Sequence, residues 1–492
     1  MKPTMNHLRF CMRRVLVLCG VLSGLTCALR ADEVITLNGE WDLSCWPQPA
    51  VAVTSPDGMK AVTAVHMKAR VPGNVETALE AEALAPDPMV GSNVYDLRRW
   101  EGHQWCYSRS FRAPRLSVGQ RAVLHFGGID CLADVWLNGT HVGQTRNMLI
   151  PHDFDVTDIL RPGRENRVQV ILRSSVLEES SHVLGMFSIG NFASSESMYL
   201  RKAPHTFGWD IMPRLVSAGL WRPVELRLQD AAGFRDIHFY TSHADPAHHT
   251  ARLAADVQLR LPFAMLDRSR LVVTLRRPGK PDVRMEQIIN TQSVRMETSI
   301  QDADLWWPRG LGEAALYDAR VEIVDEQGEV RASECRKVGL RSISLEHTEL
   351  NLPEAPGRFR FYVNGVPVFV HGTNWGPLDE LHSRDTLHHK RCIDMACDLN
   401  CNMIRCWGGN VYEADRFYDL CDSAGILVWQ DFSMACGFYP QRDDFARELE
   451  REVTSVVLRL RSHPCLALWA GNNEDDCVYV WSGGGRSFDP NR

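Results

Sequence analysis

Residues 402–432 read NMIRCWGGNVYEADRFYDLCDSAGILVWQDF. Two short apolar runs, Asn402–Trp407 and Ile426–Gln430, flank a segment, Glu413–Ala424, of helical length. Nearly unbroken apolar runs are the pattern of strands buried on both faces. A strand–helix–strand unit of this length calls for parallel pairing. Working outward, the rhythm repeats: strand Val366–Val370 and helix Asp385–Leu399 precede it, and helix Asp443–Arg461 and strand Cys465–Ala470 follow. The spacing therefore predicts a parallel sheet of four strands alternating with three helices.

Polar residues cluster just past each predicted strand: Thr373, Asn374 and Trp375; then Trp407, Gly408 and Gly409; then Asp431; then Asn472, Asn473 and Glu474. In a (β/α)8 barrel this rim is where chemistry is built, and four such units make half of one. A half barrel would leave its last strand with an open edge and its apolar faces uncovered, and is expected to be unstable alone.

Upstream the period changes to that of strands and turns. From Ile35 to Leu226 short alternating segments dominate, and Ala133–Leu137 runs into Asn138-Gly139, a hairpin signal because a type I′ turn needs positive φ at both central residues. This predicts an all-β sandwich of jelly-roll kind over residues 32–230. The Asn138-Gly139-Thr140 glycosylation sequon is explained by the turn alone. Val257–Leu261, Leu271–Leu275 and Tyr317–Val324, with a turn at Asp325–Gly328, predict an immunoglobulin-like sandwich over 231–346. The incomplete barrel then takes 347–492. Three units suit a chain of 492 residues at about 150 residues per domain.

The N-terminus carries Lys2, Arg9, Arg13 and Arg14 ahead of the apolar run Val15–Leu29, with Ala31 near its end. This is the pattern of a secretory signal over residues 1–31 and predicts a secreted or periplasmic protein. The run is shorter than the roughly 20 residues that span a bilayer, so no stable membrane insertion is expected. A formal net charge of −7 gives no reason to expect nucleic-acid binding. Of fifteen Cys, twelve follow the signal, with no CxxC pair. Cys392, Cys397, Cys401 and Cys406 read as small core residues on one helix and the next strand, not as a metal site. No metal or organic cofactor is implied.

Glu474 stands at a strand end, preceded by amides, with tryptophans on neighbouring rims. These are the parts of a glycoside-cleaving site: an acid for the leaving oxygen and aromatic faces for sugar rings. On spacing alone a salt-bridged or helix-capping carboxylate accounts for it better.

Several segments carry a resemblance to glycoside hydrolase family 2. LRLRSHPCLALWAGNNE (Leu458–Glu474) resembles the family's acid/base region, and its GNNE form is similar to that of β-mannosidases. NMIRCWGGNVYE (Asn402–Glu413), ILVWQDFSMACGFYP (Ile426–Pro440) and VHGTNWGP (Val370–Pro377) resemble its first three barrel strand ends. FGWDIMPRLVSAGLWRPV (Phe207–Val224), LWWPRGLGEAALY (Leu305–Tyr317) and KVGLRSISL (Lys337–Leu345) resemble signatures of the two preceding domains.

The resemblance implies a retaining exo-β-mannosidase acting on a β-mannoside oligosaccharide or glycan, with Glu474 as general acid/base and Asn473 on the sugar 2-hydroxyl. Trp209 and Asp210 would contact the outer hydroxyls, and Trp375 and Trp429 would line the pocket. Arg405, Trp407 and Asp431 would support it, while Trp41, Trp306 and Trp307 read as core. Such an acid works best with a raised pKa, which Asp475 and Asp476 would favour as like charges. The family's FGWDWGPRL stands here as FGWDIMPRL, which puts Ile211 and Met212 on one wall of the pocket. The family's nucleophile is a second Glu on a later strand, and no such segment occurs in this sequence. Asp431 is the one carboxylate near enough in sequence position to be considered in its place. Two other readings follow: another family 2 exo-β-glycosidase (β-galactosidase, β-glucuronidase or exo-β-glucosaminidase), or a non-catalytic or decayed carbohydrate-binding fragment.

Overall fold

Exposed and buried residues take turns along Val65–Val71, and half-buried and buried ones along Val224–Gln229. Strands of this kind bury one face and need a second sheet to cover it. The computed structural model, which describes residues 32–182, 197–348 and 357–481, meets that need twice. The expected signal, 1–31, lies outside the described residues.

In the first unit a six-stranded antiparallel sheet faces a four-stranded one. The larger runs Val65–Val71, Gly39–Pro47, His103–Arg112, Glu165–Leu172, Ala133–Leu137 and Thr140–Thr145 in spatial order. The smaller runs Glu33–Thr36, Val224–Gln229, Arg121–Phe126 and His152–Asp155. Trp41, Tyr107, Leu124, Phe126 and Leu226 meet in the core between them. The Trp41 indole N–H donates to Leu37 O at 2.8 Å, so its polar atom enters the core satisfied. Asn138 (φ 54°) and Gly139 (φ 83°) make the expected hairpin. The Asn138 amide donates to Asn166 Oδ1 at 2.8 Å and to Ile159 O at 3.1 Å, which ties the sequon's side chain into the fold.

In the second unit three strands (Gly233–Asp245, Thr250–Arg260, Ser293–Ile300) pack on four (Val283–Ile288, Arg270–Arg276, Tyr317–Val324, Val330–Val338). The turn at Asp325–Gly328 closes with Gly328 N–H on Asp325 O at 3.1 Å. Trp306 is buried, its indole N–H donating to Asp422 O, and Trp307 is half-buried.

A parallel sheet follows, built from Gly372–Trp375, Met403–Cys406, Leu427–Asp431 and Leu466–Ala470 in that spatial order. Helices His389–Asp398, Asp415–Ala424 and Asp443–Leu460 connect the strands. The first of these strands corrects the sequence reading. Val366–Val368 pairs antiparallel with Phe359–Val363, in a separate sheet with Ile343–His347, because Asn364 (φ 51°) and Gly365 (φ 77°) fold the chain back in a tight turn. Thr373, Asn374 and Trp375 consequently lie within the first parallel strand and not beyond its end. The second helix begins at Asp415 and not at Glu413, whose carboxylate is drawn into the core by the Trp375 indole (2.9 Å) and His389 Nε2 (2.8 Å).

Arg201 locks the first unit to the third. It forms a two-pronged pair with Glu452 of helix Asp443–Leu460 (2.7 and 2.8 Å) and donates to Ser433 O at 2.6 Å. Asn147 Nδ2 and the Tyr412 hydroxyl donate to the same carboxylate. Among the described residues no helix is long and apolar enough to cross a membrane.

Candidate active site at the strand ends

The fourth parallel strand ends at Ala470, and the chain turns through Asn472 to place Glu474 at φ 62°. A non-glycine residue in this left-handed region costs about 1 kcal/mol or more and persists only where neighbours hold it. The neighbours are in the segment after the third strand, where Cys436 (φ 46°) is also left-handed. Asn473 N–H donates to Met434 O and Cys436 N–H donates to Asn473 O, each at 2.9 Å. The Glu474 side chain is exposed, and its Oε2 accepts the Cys436 thiol at 3.3 Å. Burial, with the Glu474 carboxylate alongside, pushes that thiol up to about 12, so it remains a donor.

Beside Glu474, Asn473 is buried, its Oδ1 accepting from Arg405 Nη2 at 2.8 Å. Arg405 also grips Asp431 (Nη2 to Oδ2, 2.6 Å), which accepts from Gly408 N–H and from Trp429 Nε1, both at 3.1 Å. Strand ends two, three and four are thus joined through one guanidinium and one carboxylate. Asp431 spends both oxygens on this network, which fits a supporting role and not that of a nucleophile. Burial raises its pKa against the pull of Arg405. Gly408 has to be glycine, since a Cβ there would meet Met434 O at 2.6 Å and Phe432 O at 2.8 Å.

Trp429 is half-buried and lines an open cavity of about 630 Å³ against the uncovered face of the sheet, with Phe359, Thr373, Asn374 and Arg405. Glu474 is not among that cavity's walls. Trp209 comes from the first unit and meets Trp407 edge-on, ring centroids 5.1 Å apart. Its loop is fastened behind by Arg214, paired with Glu101 at 2.8 and 3.0 Å. Asp210 and Ile211 are exposed, and Ile211 rests against Gly376. Trp375 departs from the expectation: it is buried on the helix side of its strand, its indole bonded to Glu413 and its ring against Phe417 at 4.8 Å. Thr373 and Asn374, not Trp375, take the cavity side.

The structure thus groups Glu474, Asn473, Arg405, Asp431 and Trp429 on one rim, with Trp209 reaching over it through Trp407. Sequence reasoning missed Cys436, although it lies in the quoted stretch Ile426–Pro440, because nothing in periodicity marks a thiol aimed at a carboxylate. It also missed how Asp475 is used: burial pushes that carboxyl up to about 7 while its Oδ1 accepts Gly437 N–H at 3.1 Å. Among the described residues, Asp422, His463 and Cys465 gather ligand-type atoms within 4.8 Å of one another. Asp422 is already occupied by His463 Nδ1 (2.6 Å) and Cys465 N–H (2.9 Å), and burial holds the Cys465 thiol protonated, so the group reads as a structural clasp.

Comparison with known proteins agrees with this arrangement. Residues 53–222 match the model of the glycosyl hydrolase 2 galactose-binding domain-like family, and residues 232–341 match that of glycosyl hydrolases family 2; together they cover more than half of the chain. The chain belongs to glycosyl hydrolase family 2. Within that family it is β-mannosidase-like: it is 31% identical over 417 residues to beta-mannosidase B of Aspergillus clavatus, covering 82% of this chain and 48% of the relative. It is 30% identical over 433 residues to the beta-mannosidase of Mus musculus, covering 84% and 48%. The crystal structure of a β-D-mannosidase from Dictyoglomus thermophilum superposes with a TM-score of 0.78 at 31% identity, over 90% of this chain and 52% of that one. The chain spans about half the length of the relatives it matches.

Proposed function

We propose that this chain is part of an exported retaining exo-β-mannosidase that releases terminal non-reducing β-D-mannose from oligosaccharides or glycans. The observation that carries the reading is Glu474 at a parallel strand end, beside Asn473 held by Arg405, in a chain whose relatives are named β-mannosidases. In this reading the four parallel strands are the first half of a (β/α)8 barrel, preceded by a jelly-roll and an immunoglobulin-like sandwich, and residues 1–31 direct export.

Glu474 protonates the glycosidic oxygen and then takes a proton from the water that attacks the glycosyl-enzyme. Asn473 holds the sugar 2-hydroxyl, Trp429 lines the bound ring, and Trp209 with Asp210 closes over the outer hydroxyls. Trp375 acts from the core, by fixing the first strand, and not as a wall of the pocket. A retaining pair needs its carboxyl groups about 5 to 5.5 Å apart across the sugar. With Asp431 engaged by Arg405, Gly408 and Trp429, the nucleophile of this reading is a carboxylate outside these 492 residues.

Turnover of a panel of nitrophenyl β-glycosides by protein expressed from its native gene tests the reading. Preference for the mannoside supports it, and preference for the galactoside, glucuronide or glucosaminide replaces mannose with another sugar of the family. Mannoside binding without turnover, unchanged in Glu474→Gln, overturns hydrolysis in favour of a binding protein.

A further inference from the structure

The loop that carries Trp209 and Asp210 crosses from the first unit to the rim, and a buried chain of four titratable side chains stands where it lands. His205, fully buried, lies in the turn Pro204–Phe207 just before Trp209. Its backbone N–H donates to Gly409 O at 3.2 Å, two residues past Trp407. Its Nε2 is 2.7 Å from Nε2 of His382, whose Nδ1 is 2.6 Å from Asp385 Oδ2. On the other side His205 Nδ1 faces Glu380 Oε2 at 3.7 Å. Neither oxygen of Glu380 has a hydrogen-bond partner, nor has His205 Nδ1. All four side chains are buried.

Two ring nitrogens 2.7 Å apart have room for one proton between them. With the His382 Nδ1–H given to Asp385, that proton belongs either to an imidazolium at His382 or to the Nε2–H tautomer of His205, and both keep the contact. A second proton sets two N–H groups head to head and breaks it. We propose that His205 and His382 form an acid-labile pin that positions the Trp209–Asp210 loop on the strand-end rim.

The surrounding charges give the direction. Burial lowers the His205 pKa well below its usual value, and His382 and Lys202 act in the same sense. Lys202 is itself held by Asp130. Burial works against a charge on His382 too, but Asp385 more than offsets it, helped by Glu413 and Asp130, and its pKa is raised. Asp385, lifted by burial and drawn back by His382, also faces Glu413 and His389. Because Asp385 and His382 share one short segment, their pairing persists with the loop docked or free, and the docking equilibrium takes its acid sensitivity from His205. A base whose pKa is lower when docked stabilises docking above its free value of about 6.5, and that stabilisation is lost as pH falls. Glu380 works in the opposite sense. Its carboxyl is pushed up to about 8 by burial, with Asp379 adding and His382 opposing, so docking weakens as pH climbs from the free carboxyl range to that value, which opposes the His205 slope below about 6.5, and levels off above it.

The test is amide hydrogen exchange of residues 205–215 in the full chain, corrected for intrinsic rates, from about pH 5 to about pH 9, which spans both groups' transitions. Between about pH 6.5 and about pH 8 protection should fall as pH rises, by up to about tenfold per pH unit, and below about 6.5 the His205 and Glu380 slopes should offset each other. His205→Gln, whose amide reaches His382 without titrating, should keep the protection at neutral pH and, with the His205 slope removed, let protection go on rising as pH falls below about 6.5. A pH profile below about 6.5 that is the same in His205→Gln as in the unsubstituted chain overturns the pin. Should His205→Gln not fold, histidine ¹⁵N spectra of the unsubstituted chain decide: one neutral ring at His205 near neutral pH supports the pin, and two imidazolium rings overturn it. The readout is independent of turnover, so its failure is distinct from failure of the β-mannosidase reading.

Discussion

Arg405→Met removes the guanidinium that joins Asp431 to Asn473. The Asp431 side chain is fully buried and that of Arg405 is 29% exposed, so the pair is shielded from solvent. Removing one partner of such a pair costs about 3–5 kcal/mol, because it strands a buried charge. Gly408 N–H and Trp429 Nε1 remain on the carboxylate at about 1 kcal/mol each, which sets the expected loss near the lower end, about 3 kcal/mol. Urea unfolding at neutral pH should show it as a lower midpoint with little change in slope. The pH dependence has a definite sign. Arg405 holds the Asp431 pKa down against burial, so in the variant the carboxyl protonates at higher pH in the folded state. A raised folded-state pKa means stability that is present at low pH and lost as pH rises, so the penalty should shrink on acidification. Adding Asp431→Asn should recover all but about 1 kcal/mol. A single-variant loss below about 1 kcal/mol, or a double variant as unstable as the single one, refutes the reasoning.

Three further outcomes follow from the same geometry. Gly408→Ala puts a Cβ 2.6 Å from Met434 O and 2.8 Å from Phe432 O, both backbone atoms, and should cost about 1–3 kcal/mol in thermal unfolding. Glu452→Gln leaves Arg201, Asn147 and Tyr412 around a neutral amide; chemical denaturation should register a loss of about 3 kcal/mol or more. Asp475→Asn removes a carboxyl whose pKa is pushed up to about 7, so its ionised form costs stability above that pH. Unfolding midpoints of this variant should exceed those of the unsubstituted chain at alkaline pH and lose the advantage on acidification.

Much of the architecture was legible because it rests on periodicity. The apolar runs at Met403–Cys406, Leu427–Asp431 and Leu466–Ala470 could be buried only as parallel strands between helices, and the Asn138-Gly139 turn announced its hairpin. The first parallel strand was misread because Val366–Val368 and Gly372–Trp375 are both short and strand-like, and the deciding turn at Asn364-Gly365 acts through backbone φ that periodicity does not register. The site was half legible. Glu474 and Asn473 stood out at a strand end, whereas Trp375 could be assigned to the core only once Glu413 was seen to accept its indole N–H. The His205–His382 contact joins residues 177 positions apart in sequence, and Cys436 reaches Glu474 across 38; no local pattern encodes either.

The central claim is the role of Glu474, and azide tests it most directly in protein expressed from its native gene. With an activated aryl β-mannoside, Glu474→Ala should form the mannosyl-enzyme but release it slowly, because the water lacks its base. Azide needs no base and should restore turnover, giving a mannosyl azide of retained β configuration. A Glu474→Ala variant that hydrolyses unactivated mannosides at the unsubstituted rate, or one that azide does not rescue, would contradict the account.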